Sequence, residues 1–366
     1  MDRRTDAFST EAHFERLLEH FRGVHLESWR SQSEDVLRKN KDRRAGFEHR
    51  LWERWGEALN EYEVVVETAL MMWWQFNKGW FYPARAKDDH KTVSLIELHS
   101  RCCCIAQEVL ALLSGGFAAG AHARVRTMHE LAVVAFFIKD RPPDVARRYQ
   151  EHSIVERYKR AIEYNRTLPV THAERGYEPI EEKTVSELSE QRGQLREKYG
   201  ASFPNVPYGW AAATLRKPRP TLRDLEESVD MGHNRPFYAW SSQHIHPSSH
   251  GNQLSYLQQG NGAYNLVAGS SNGGLADPAA SAMISLHQTV TALCLPLEER
   301  EYPEESCMVE EVAAYHIAEV YALGEMVEEA QHTFLEAHRK LEEDERLAWD
   351  ELRLEDAAPD VQNSPE

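Results

Sequence analysis

The stretch "FYAWSSQHIHPSSHG", residues 237–251, places His244, His246 and His250 within seven positions, among four serines and a proline. A metal ion would need the three imidazoles to converge, neutral imidazole being a general-purpose ligand. His244 and His246 are two apart and diverge on a continuing helix, so convergence requires the Pro247 break. Zinc histidines come at helical spacing or beside thiolates or carboxylates, and no Asp or Glu lies between Arg235 and Gly260. The HxHxDH pattern of the metallo-β-lactamase fold fails too: the third histidine is one residue late and a serine holds the acidic place. A second reading is an acid–base or anion-contacting histidine beside Ser241, Ser242 and Ser248. A third is a polar helix end before a proline.

Another group sits upstream. Steps of four from His122 give Arg126, Glu130, Val134 and Ile138, residues that share one helix face. The face starts polar and turns apolar, and the helix beyond Glu130 is apolar all round, as a buried helix is. Arg126 and Glu130 thus stand where the helix enters the core. A half-buried pair there can aim its guanidinium at a carboxylate or phosphate; it can equally be an internal salt bridge.

Two further patterns are weaker. "GSSNG", residues 269–273, fits the G-x-S-x-G nucleophile elbow, which needs a strand before it, a helix directly after it and a parallel sheet around it. "AYNLVA" is a candidate brief strand, but Asn272-Gly273-Gly274 is a poor helix start and the other strands are missing. Arg124 and His129 give the R-x4-H spacing of HEPN ribonucleases, a match expected by chance in a chain this rich in Arg and His. His129 shares its row with Val125, Val133 and Phe137, which marks it as a core histidine.

The elements that position these residues are helical. "STEAHFERLLEHFRGVHLESW" has an N-cap and apolar residues Phe14, Leu17, Leu18 and Phe21, and a second helix covers about 45–77. Gly79 and Pro83 then break the pattern. The densest core signal is a pair of apolar helices at about 93–114 and 117–139, joined by Gly115-Gly116 and ended by Pro142-Pro143, which predicts an antiparallel pair. Further helices are expected over 144–166, 180–199, 222–231, from 236 to near Pro247, over 278–295, and from 309 to about 354. Residues 260–274 read as an irregular loop. The expectation is all-α: a multi-helix bundle around that antiparallel pair, with a long C-terminal helix. Its parts are an N-terminal elaboration (1–77), a helical core (78–295), C-terminal helices (296–355) and a disordered tail (356–366).

A formal net charge of −17 over 366 residues argues against coating nucleic acid or anionic membrane by bulk electrostatics. Five cysteines, three of them consecutive at 102–104, make no disulfide framework and no thiolate zinc site. The apolar segments 64–76 and 131–138 are too short or interrupted to span a bilayer, and "MDRRTDAFSTEAHFERLL" has no apolar signal core. A reducing cytoplasm is the expected setting, and no motif calls for a cofactor.

In this order the pieces resemble a bacterial family, the all-helical domain-of-unknown-function family numbered 5677, over residues 93–251. The resemblance runs through the Gly turn into "GAHARVRTMHELAV" with its R-x-x-x-E helix, the charged "DVARRYQEH", the tryptophan of "YGWAAATL", and the aromatic–Ser–His ending of "FYAWSSQHIHPSS". The matching positions are Arg126, Glu130, Trp210, Tyr238, Ser242, His246 and Pro247. The resemblance implies a fold and a pocket in which the Arg126 helix faces the Ser242–His246 helix, with His246 the histidine of interest. It implies no reaction.

Three functions follow as expectations. The first is a dimerising helical module that binds an anionic ligand or a protein partner through Arg126, Glu130 and His246, with Tyr238, Ser242, Trp210, Arg124 and His129 around them. The second is a metal-independent HEPN-like ribonuclease, with Arg126 on an RNA phosphate and His246 or His129 moving a proton. The third is a metal-dependent hydrolase using His244, His246 and His250.

Overall fold

The structure is a computed structural model that describes residues 3–167, 176–243, 256–258, 264–266, 268–295 and 308–357. The chain divides into two compact units, Met1–Arg54 and Trp55–Glu366.

The first unit holds α1 (Arg3–Ser31) and the start of α2 (Ser33–Phe76). Helical hydrogen bonding runs on across their junction, from Gln32 N–H to Ser28 O at 3.1 Å and from Val36 N–H to Gln32 O at 2.9 Å. The second helix therefore starts a dozen residues before the expected Ala45, because residues 33–44 contain no Gly or Pro and are rich in helix formers such as Leu37, Arg38 and Lys39. Phe14, Leu17, Leu18 and Phe21 are all exposed. Consecutive helices joined end to end give each other no face on which to bury such a stripe.

In the second unit α2 is followed by a π-helical turn, Asn77–Phe81, and a short α3 (Tyr82–Ala86). The break expected at Gly79 and Pro83 is thus a change of helix type. Pro83 falls in the first turn of α3, where its missing N–H costs nothing. Then come α4 (His90–Ser114), capped by Asp89 accepting from Thr92 N–H, and α5 (Ala118–Lys139). Between them Phe117 N–H donates to Leu112 O and Gly116 N–H to Leu113 O, a Schellman closure. It requires the left-handed backbone of Gly116, φ 75°. The closure turns α5 back along α4, so the predicted antiparallel pair is present.

The remaining elements are α6 (Pro143–Thr167), α7 (Glu182–Tyr199), a 3₁₀ turn (Gly209–Ala211) leading into α8 (Ala212–Leu215), α9 (Leu222–Ser228), α10 (Arg235–Gln243), α11 (Ala276–Cys294) and α12 (Met308–Ala357). Helix α11 lies against both α4 and α5 and inserts Met283, Leu286 and Val290 into a three-helix core. Helix α12 covers α11, while α6 covers α4, and α9 and α10 lie on α5. The fold is all-α, as the helical periodicity predicts. The exception is a short antiparallel strand pair, Tyr256–Gln258 with Tyr264–Leu266, of which only the second strand falls inside the expected loop of residues 260–274. No described helix is long and apolar enough to cross a membrane. The tail expected from 356 lies almost wholly outside the described residues.

Two local features have measurable consequences. His99 is fully buried on α4, with Nε2 3.1 Å from Ala69 O and Nδ1 3.1 Å from the Thr289 hydroxyl. A neutral ring protonated on Nε2 donates to Ala69 O, while Nδ1 faces the Thr289 hydroxyl, which itself donates to Leu286 O at 2.8 Å. Burial, offset in part by the Ala69 carbonyl, pushes His99 down to about 4. The unfolded chain then binds a proton near pH 6.5 that the folded chain refuses until about 4. Stability is therefore lost as pH falls through that window, by about 3 kcal/mol through this residue. Urea midpoints against pH test this: His99→Gln should flatten the decline between pH 6.5 and 4, and an unchanged profile would contradict it. Gly209 is the second feature, because a Cβ there would lie 2.2 Å from Phe203 O and 2.6 Å from Ser202 O. Gly209→Ala must displace backbone and should cost about 2 kcal/mol or more in chemical denaturation.

Candidate functional site

Helix α5 enters the core past Glu130, and α10 crosses the polar turn just before. Arg126 Nε donates to Glu130 Oε1 at 3.3 Å and to the Tyr238 hydroxyl at 2.9 Å, and that hydroxyl donates to Glu130 Oε1 at 3.0 Å. The guanidinium also sits 5.0 Å from the Tyr238 ring centroid. A bare i,i+4 pair on a helix surface is worth only about 0.3–0.5 kcal/mol, so the fixing agent is the tyrosine from the other helix. Burial alone would lower Arg126, but Tyr238 and Glu130 together hold it above its usual range. Burial and then the Glu130 charge raise the Tyr238 phenol, which stays a neutral donor.

Beneath lies a sealed carboxylate. Glu226 on α9 is 0% exposed and accepts from His129 Nε2 at 2.9 Å and from Arg235 Nη1 at 2.8 Å. Arg235 then leans over the Tyr238 ring at 5.1 Å. Burial lowers His129 and the Glu226 contact offsets only part of it, so the imidazole is favoured as a neutral donor. The Tyr208 phenol, raised by burial and then by Glu130, belongs to the same neighbourhood.

The sequence pairs Arg126 with Glu130 and groups both with Tyr238, and the structure brings all three together. It brings in Glu226, Arg235 and Tyr208 as well, which sequence reasoning missed. Glu226 and Arg235 come from segments with no periodic relation to α5, and a carboxylate in "LRDLEESVD" reads as solvated surface. Other candidates go elsewhere. Arg124 pairs with Glu108 of α4 at 2.5 Å while His129 turns to Glu226 of α9, so the R-x4-H residues are not side by side. Ser242 donates to the Tyr238 carbonyl at 2.8 Å inside its own helix; the neighbouring Ser241 is the buried one, 3.3 Å from His122 Nδ1. Trp210 is buried edge-on against Phe137 and Tyr149, and it lines a different cleft. His244, His246, Pro247, Ser248 and His250 lie outside the described residues. Among the described residues no group of three or more His, Cys, Asp or Glu side chains could hold a metal ion.

Beside Arg126 a cleft of about 160 Å³ opens between α5, α10, α11 and α12. Val125, Phe237, Ala280, Ile284 and Leu335 give it apolar walls, with Arg126, Ser281 and Gln331 among its polar groups. Asn234 also lines it, and the buried Nδ2 of that residue has no hydrogen-bond partner among the described residues. The arrangement can hold a small body in the apolar part and present donors at its edge.

The Glu226 network can be tested by itself. Glu226→Gln keeps the volume but removes the charge that answers Arg235, and should cost about 2 kcal/mol in urea denaturation. A cost below about 0.5 kcal/mol would mean the carboxylate is not what ties α9 to α5 and α10.

Neither a curated protein nor a solved structure matches the chain. One family model matches, starting at the residue where the resemblance begins and reaching the first residue of the second strand. The span contains Arg126, Glu130, His129, Tyr208, Glu226, Arg235 and Tyr238. Over residues 93–264 the chain is similar to DUF5677, described as a family of unknown function.

Proposed function

We propose that the chain is a helical binding module whose cleft beside Arg126 takes a small amphipathic anion, a carboxylate or phosphate carried on an apolar body. One observation carries the reading. Arg126 Nε is saturated by Glu130 and Tyr238, whereas its two terminal amino groups have no hydrogen-bond partner among the described residues and the side chain keeps 29% of its exposure. A guanidinium locked at one nitrogen and open at the other two is pre-organised for bidentate recognition, which lowers the ordering cost of binding. The cleft's size suits one aromatic ring or a branched aliphatic group: a cavity near 150 Å³ accommodates benzene.

The ribonuclease alternative has less behind it. His129 is engaged by a buried carboxylate, and Arg124 is paired away from it. RNA carries its charge on an extended backbone, while this cleft is small and mostly apolar.

Thermal unfolding with benzoate, phenyl phosphate and benzyl alcohol tests the proposal. Stabilisation by benzoate or phenyl phosphate but not by the alcohol is expected. Arg126→Gln should weaken the anion by about tenfold or more, the scale of losing one charge-assisted contact. No shift with either anion, or a shift that persists in Arg126→Gln, would overturn it.

A further inference from the structure

A larger cleft, about 600 Å³, opens between the α3–α4 connection, α4 and α6, and it shares no lining residue with the first. Its size lies within the range of small-molecule sites. Val93, Tyr149 and Trp210 supply the apolar lining, with the Tyr149 and Trp210 rings edge-to-face at 5.1 Å. Trp210 is held there by the edge of Phe137 and by the close backbone approach at Gly209. The tyrosine hydroxyl makes no hydrogen bond among the described residues.

The charges around this lining are arranged unlike those of a structural salt-bridge cluster. Glu97 and Arg101 stand one turn apart on α4, both exposed, and neither makes an ion pair or hydrogen bond among the described residues, even with the other. Two further groups are already occupied. Arg85 lies 5.7 Å over the Phe81 ring, and His152 is fixed by Phe203 O at 3.1 Å with Glu156 3.7 Å from its other nitrogen. In all, carboxylates of Asp88, Asp89, Glu97 and Glu156 face guanidinium groups of Arg85 and Arg101 only, so the cleft has an excess of negative charge. Burial raises Glu97, an effect that Arg85 opposes and that a bound cation would relieve further.

We propose that this cleft binds a basic amino acid. Its carboxylate meets the unpaired Arg101 guanidinium, its ammonium groups meet Glu97 and the acidic side of the cleft, and its methylene chain lies along the Tyr149–Trp210 edge. A purely anionic ligand is disfavoured by the surplus of carboxylates. A simple amine leaves Arg101 unanswered.

Calorimetric titration of the full chain with L-lysine, cadaverine (both amines without the carboxylate) and hexanoate (the carboxylate without an amine) separates the contributions. L-lysine should bind more tightly than either half-probe. Arg101→Gln should weaken L-lysine by about tenfold, to the level of cadaverine, and leave cadaverine unchanged. Glu97→Gln should weaken both. Both positions are exposed, so the variants should keep the wild-type circular dichroism and melting. Absence of L-lysine binding at millimolar concentration, equal binding of L-lysine and cadaverine, or indifference to Arg101→Gln would each overturn the assignment. Arg126→Gln should not alter L-lysine binding, so this site and the Arg126 cleft stand or fall separately.

Discussion

A carboxylate sealed from water must be answered by donors, and Glu226 is the constraint around which the Arg126 region is arranged. It is reached by His129 from α5 and by Arg235 from the start of α10, so one group fixes three helices against one another. Taking the ion pair out of water costs about as much as its attraction returns, so such a pair adds little net stability. Its contribution is position. With Arg235 held, the Tyr238 ring is approached by two guanidinium groups, at 5.0 and 5.1 Å, and its hydroxyl is delivered to Arg126 and Glu130.

From that geometry the character of the cleft follows. Arg126 is held at the nitrogen nearest its own helix, and the part of the guanidinium that recognises oxyanions is left open. The apolar walls come from α5, α10, α11 and α12, and on α5, α11 and α12 the neighbouring residues build the core, so those three sides of the cleft are set by close packing. The second cleft differs in kind. It is polar and larger, and it is built where the π-helical turn and α3 redirect the chain before α4.

Much of this was legible in the sequence. The apolar runs flanking Gly115-Gly116 predict the antiparallel pair because Gly alone closes a Schellman turn without strain. The four-residue row from His122 locates Arg126 and Glu130 at the entry to the core, since a helix face is set by spacing alone. Glu226 was not legible, because its burial comes from α9 settling on α5, a tertiary event that no local pattern encodes. Of the two hairpin strands only the second was legible, within "AYNLVA"; the first, Tyr256–Gln258, is three residues long and has no local pattern to mark it. The exposed stripe of α1 is the opposite case, an amphipathic pattern to which the fold supplies no covering element within its own unit.

The central claim is that Arg126 is locked through Nε and reads an anion through its terminal nitrogens. Nitrogen-15 NMR of the arginine side chains during a benzoate titration tests it most directly. The account predicts that the Arg126 Nη signals shift and sharpen, as restricted rotation requires, while its Nε–H resonance, already hydrogen-bonded, moves little. Nη signals that stay put at saturating benzoate, or an Nε–H that moves more than they do, would contradict it.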